Sequence, residues 1–119
     1  MTVLVDTSVW IAHWRAGERR LAQLLEANTV LVHPFVLGEI ALGHITSRMD
    51  VLADLATLDA PRVAEHGEVL ALVERSRLWG RGIGWVDAHL LASALLDRIG
   101  LWTLDAPLAR VARELGVAA

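Results

Sequence analysis

The sequence contains no cysteine. That excludes disulfide frameworks, thiolate metal sites and cysteine nucleophiles. It also contains no lysine, which excludes P-loop ATPases, Schiff-base enzymes and lysine-containing phosphoacceptor receivers. All 11 basic residues are arginines, whose planar fork still suits phosphate. No apolar run reaches the ~18 residues of a membrane span. Met1 leads straight into an apolar stretch with no basic n-region, so no signal peptide and a cytoplasmic location are expected. Five histidines (His13, His33, His44, His66, His89) include no H-x-x-x-H pair, which speaks against zinc.

What is present is apolar. Hydrophobic residues make up 55% of 119 positions, and the net charge is −3. The length predicts one domain over residues 1–119, large enough to bury a core without a staple. The acidic balance excludes a polybasic nucleic-acid binder. So apolar a surface on so small a chain predicts burial against a partner.

The hydrophobic pattern predicts strands at residues 3–5, 29–32 and 101–104, with a further short strand at 62–64. Helices are predicted at 8–15, 18–27, 34–45, 49–58, 68–76, 86–99 and 107–115. Pro34 opens one at a tolerated position, and Gly100 and Gly116 stop two others. Apolar strands alternating with amphipathic helices predict an α/β fold with a short parallel sheet between helical layers. Ligands of such sheets bind beyond the carboxyl ends of the strands.

Four acids draw attention there. Asp6 ends the strand in "TVLVDTSVW", and Asp105 follows the strand in "LWTLDAPLARVA". Asp87 lies in the first turn after the glycine-rich "WGRGIGW". Taken singly, Asp6, Asp87 and Asp105 fit helix capping or the helix dipole as well as ligand binding. Glu39 is different. Its helix, "PFVLGEIALG", is apolar almost all round, as a buried helix is, and no lysine exists to pair with it. A buried lone carboxylate is costly unless paired, protonated or facing a cation. One divalent ion would account for all four acids. Oxygen-only ligands select Mg²⁺ or Mn²⁺, which suit phosphodiester hydrolysis.

Those same stretches, "VLVDTSVWI", "HPFVLGEIALG", "GRGIGWVDAHLLASAL" and "LWTLDAPLARVA", resemble the PIN-domain ribonucleases, specifically the VapC-type toxins of toxin–antitoxin systems. The similarity spans nearly the whole chain. It implies a three-layer α/β/α sandwich and Mg²⁺- or Mn²⁺-dependent endoribonuclease activity. It also implies inhibition by a cognate antitoxin, and a homodimer. By position, Asp6 and Asp87 match the central metal ligands, Glu39 the helical acid and Asp105 the acid at the pocket rim. Ser8 or Thr7 matches the hydroxyl that accompanies the first aspartate. The C-terminal edge strand of many family members is expected to be short or missing here.

Other features carry less. "GRGIG" departs from the G-x-G-x-x-G phosphate loop and reads as a loop flanking the pocket, with Arg81 offered to RNA. Arg15, with Arg19 and Arg20, is a candidate basic rim, although such charges are commonly a solvated face. Trp10, Trp14 and Trp102 read as core or partner contacts rather than base-stacking platforms. A catalytically silent PIN-like binding module is the competing class. A haloacid-dehalogenase phosphatase is disfavoured, since the second aspartate it needs is replaced by Ser8.

Overall fold

Three very short strands form the centre of the protein in the computed structural model, which describes all 119 residues. They are β1 (Val3–Val5), β2 (Val30–Leu31) and β3 (Gly100–Trp102), all parallel, in the order β2-β1-β3. Seven helices surround them: α1 (Thr7–Ala16), α2 (Arg19–Glu26), α3 (Pro34–Leu42), α4 (Arg48–Leu55), α5 (His66–Arg75), α6 (Trp85–Asp97) and α7 (Ala106–Glu114). Val3, Leu4 and Val5 are each 0% exposed. Successive strand residues point to opposite faces, so helices must cover both faces of the sheet. The expected α/β/α sandwich is therefore present. No helix is long and apolar enough to cross a membrane.

Parallel pairing puts the carboxyl ends of all three strands on one edge. β1 hands directly to α1 through Asp6, and β2 hands to α3 through Val32 and His33. β3 reaches α7 through Thr103, Leu104 and Asp105. The Asp6 N–H donates to the Trp102 carbonyl at 2.9 Å, extending the β1–β3 ladder to the acid itself. Asp6 is thus placed by sheet hydrogen bonding, not by a flexible loop.

The fourth strand expected at 62–64 does not form. A single bridge joins Leu31 to Asp59, and the chain then leaves the sheet. The backbone of Arg62 is satisfied by α6 instead. Its N–H donates to Asp97, its carbonyl accepts from Ser93 Oγ, and its guanidinium pairs with Asp97. Those bonds leave no ladder partner for a strand. The C-terminal edge strand shrinks to one bridge, Leu101 to Ala118.

Gly100 has a different role from the expected helix stop. Helix α6 ends two residues earlier than expected, at Asp97, and its C-cap Arg98 takes the left-handed conformation (φ 53°). Gly100 opens β3, and a Cβ there would lie 2.8 Å from that of Ala119. Glycine is needed for this close approach of the C-terminal segment.

Candidate metal and nuclease centre

Asp6 sits at the N-cap position of α1, yet its side chain caps nothing. Its Oδ2 accepts two hydroxyl hydrogen bonds, each 2.7 Å, from Ser8 Oγ and Thr103 Oγ1. Both hydroxyls have spent their single proton on Asp6, so their other bonds must be accepted ones. Ser8 Oγ accepts from the Leu104 N–H at 3.0 Å, and Thr103 Oγ1 from the Asp105 N–H at 3.0 Å. The β3–α7 connection therefore hangs on the same two hydroxyls that fix Asp6. Asp6 as a whole is only 6% exposed. Its second oxygen, Oδ1, receives no protein hydrogen bond and is not sealed from solvent. One oxygen is held and the other is left for a ligand.

The remaining acids are held in the same style. Asp87 Oδ2 accepts from the Gly84 N–H at 2.9 Å, across the first turn of α6. Asp105 Oδ2 accepts from the Leu108 N–H at 3.1 Å and caps α7. Glu39 Oε1 accepts from Thr7 Oγ1 at 2.8 Å, which ties α3 to the start of α1. The two hydroxyls after Asp6 thus divide their work: Ser8 holds Asp6, and Thr7 holds Glu39.

Glu39 corrects the sequence reading. Helix α3 is apolar all round, but it is not buried all round. Val36 and Ile40 face the core, while Phe35, Gly38, Glu39 and Leu42 are exposed. The cost of a buried lone charge therefore does not apply to Glu39. Its helix is apolar because one face lines the core and the other carries exposed hydrophobic side chains.

Asp87 shows that the four acids feel one another. Burial pushes its carboxyl above the usual range, and the Gly84 N–H works in the opposite direction. The charges of Asp6, Asp105 and Glu39 then each raise it further. Such repulsion is what a bound cation would relieve. No three acid or imidazole side chains are arranged to cage an ion by themselves. The donor set fits a hydrated hard ion instead. Mg²⁺ characteristically takes one or two carboxylates, keeps several waters and meets substrate phosphate. Asp6, through its free Oδ1, and the half-buried Asp87 would hold such an ion, with Glu39 and Asp105 as the neighbouring acids.

The glycine loop leads into α6 and is tied to α7. Gly80 and Gly82 adopt positive φ (68° and 80°), which other residues tolerate poorly. Arg81 between them pairs with Glu114 of α7 at 2.7 Å. Its first role here is to pin the loop to α7, and the bond uses one of its five N–H donors.

Two supporting groups carry no sequence signal. Thr103 falls within the apolar run expected as a strand at 101–104 and reads there as an ordinary β-branched residue; in the structure it follows β3. His33 ends the β2 connection fully buried, and its Nδ1 accepts from the Phe35 N–H at 2.9 Å. That bond fixes the neutral tautomer. Burial and then the neighbouring His89 lower its pKa from 6.5 to about 4. The His33, Phe35, His89 and Trp85 rings pack edge to face at 4.5–6.1 Å, joining the start of α3 to the start of α6. This cluster sets the spacing between the helices that carry Glu39 and Asp87.

The chain is similar to known proteins over almost its whole length. Residues 3–114 match the PIN domain family. Ribonuclease VapC32 of Mycobacterium tuberculosis, in strains CDC 1551 / Oshkosh and ATCC 25618 / H37Rv, is 52% identical over 117 residues. The alignment covers 98% of this chain and 94% of the relative. A carboxylate-lined sheet edge in a chain matched almost end to end leads to one assignment: the protein belongs to the PIN-domain family, among the VapC-type ribonucleases of toxin–antitoxin systems.

Proposed function

We propose that Asp6, Glu39, Asp87 and Asp105 form one Mg²⁺- or Mn²⁺-dependent centre that hydrolyses phosphodiester bonds of cellular RNA. The observation that carries this reading is Asp6. A carboxylate with one oxygen fixed by Ser8 and Thr103, and the other unbonded, is arranged for an external ligand. When bound, the ion supplies Lewis-acid stabilisation of the phosphoryl oxygens and a nucleophile at neutral pH. Asp6 and Asp87 hold and orient it. Glu39, exposed and braced by Thr7, receives the proton of the attacking water. Asp105 closes the rim; in-line attack breaks the bond between phosphorus and the 3′-oxygen, which takes a proton from solvent, leaving 5′-phosphate and 3′-hydroxyl ends.

The toxin would act in the cytoplasm and be silenced by its cognate antitoxin. That partner would cover apolar surface and place a basic side chain among the acids. A homodimer would bury part of the exposed apolar set that includes Phe35, Leu42, Trp79 and Trp85.

Purified protein is incubated with labelled RNA in Mg²⁺ or Mn²⁺, in EDTA, and as Asp6→Asn and Glu39→Gln. Cleavage by wild type alone, abolished by EDTA, is expected. Equal cleavage by wild type and variants, or cleavage that survives EDTA, would refute the mechanism. Absence of any cleavage would favour a silent binding module.

A further inference from the structure

A groove begins one helical turn from the acids. Thr7 and Glu39 are bonded across α1 and α3. Four residues further along α1 lies Ile11, on the face of Thr7, and just past the end of α3 lies its C-cap Gly43. Both line an open groove of about 480 Å³, together with Trp14, Arg15, His44 and Thr46. The groove thus starts one turn of α1 beyond Thr7 and runs away from the carboxylates between α1 and the α3–α4 turn.

Its lining is mixed. Arg15 is exposed and takes part in neither of the two ion pairs of the chain. His44 is exposed on the opposite wall. Trp14 is partly exposed and lies against Trp10, with ring centroids 5.9 Å apart and planes 29° from parallel. Trp10 is buried, so Trp14 rests on a fixed base. The turn forming the other wall is braced, because Arg48 Nε donates to the Ala41 carbonyl at 2.8 Å. A cation, an imidazole and a backed aromatic face around one groove make a surface for a nucleotide strand.

We propose that this groove holds the single-stranded RNA adjoining the scissile phosphodiester, with Arg15 and His44 on a phosphate and Trp14 against a base. The proposal rests on the ribonuclease reading of the acids and adds where the rest of the substrate lies. Arg15 follows Thr7 by eight residues, about 12 Å along α1, or about three stacked nucleotides. A chain of net charge −3, with four acids at its reaction centre, needs a local cation to hold a polyanion there. A protein segment is the rival occupant. It is better suited to the more apolar neighbouring groove on the other side of Trp14, where Trp10, Leu25, Leu55 and Leu58 outnumber His13, Asp54 and Thr57.

The test compares two substrates in Mn²⁺ with the full chain: a long single-stranded RNA and bis(p-nitrophenyl) phosphate, which has no flanking nucleotides. Arg15→Gln is expected to lower kcat/KM on RNA about tenfold, the loss of one charge-assisted hydrogen bond. It should reduce the slope of log(kcat/KM) against log salt by about 0.7 and leave the small diester unchanged. His44→Gln should act in the same direction, and Arg15→Lys should retain the salt slope. An unchanged RNA rate for Arg15→Gln, or an equal loss on both substrates, overturns the proposal. So does an Arg15→Gln protein that loses antitoxin affinity while cleaving RNA normally, which gives the groove to a protein. Wild type that cleaves neither substrate overturns the ribonuclease reading itself, and this proposal with it.

Discussion

Replacing Thr103 with valine removes one oxygen from the centre while keeping the side chain's shape. Thr103 Oγ1 gives its proton to Asp6 Oδ2 at 2.7 Å and accepts the Asp105 N–H at 3.0 Å. Both bonds vanish in the variant. A hydrogen bond to a charged group contributes about 1.5–3 kcal/mol, and leaving the Asp105 N–H unpaired adds a fraction of its desolvation cost. The expected loss is therefore about 2–3 kcal/mol. For a chain of this length each kcal/mol moves Tm by about 3–5 °C, so a fall of about 10 °C is predicted. Asp6 would also lose part of its orientation, and Mn²⁺ affinity should drop by ~10–100-fold, as when an outer partner of a metal ligand is removed. Differential scanning fluorimetry and calorimetric Mn²⁺ titration read the two effects. Thr103→Ser restores the hydroxyl and should recover most of both. A Thr103→Val protein that melts like wild type and binds Mn²⁺ equally well would refute the idea that two hydroxyls position Asp6.

Three further outcomes are expected. Glu39→Gln should abolish cleavage yet change stability by no more than about 0.5 kcal/mol, because Glu39 is exposed; a large drop in the urea midpoint would contradict its placement. The raised pKa of Asp87 gives stability that is present at low pH and lost as pH rises through the folded value. Asp87→Asn should therefore raise Tm at neutral pH without metal, with the gain fading as the pH falls into the carboxylate range. A lower Tm for Asp87→Asn under those conditions would count against the carboxylate cluster. His33 titrates in the opposite sense: its depressed pKa contributes stability above pH 6.5 that is lost as pH falls towards about 4. The full difference is worth about 3 kcal/mol. Urea midpoints at pH 7 and pH 4.5 should differ less in His33→Asn than in wild type, because asparagine keeps the cap but not the titration.

The legible part of the centre was the part fixed by local pattern. Short apolar runs next to Asp6 and Asp105 announced two strand ends, and parallel topology follows from the alternation of strands and helices. Thr103 was illegible because its role is read only across the sheet, from a residue 97 positions away. Residues 62–64 look like a strand because their backbone demands are hidden. Ser93 and Asp97 of α6 meet those of Arg62 instead. Glu39 was singled out for the wrong physical reason. Hydropathy cannot separate a buried helix from one that exposes Phe35 and Leu42, and only tertiary placement shows which face is wet. Gly100 likewise carries a long-range meaning, its contact with Ala119, that resembles a local helix stop.

Calorimetric titration of Mn²⁺ into metal-free protein, compared with Asp6→Asn and Asp87→Asn, tests the central claim most directly. Saturable binding is predicted for wild type, with a Tm rise of about 10 °C near 100 times Kd, the equivalent of about 2.7 kcal/mol. Both variants should lose most of that binding. Equal Mn²⁺ affinity in all three proteins, or none in wild type with substrate present, would contradict a shared metal centre at the sheet edge.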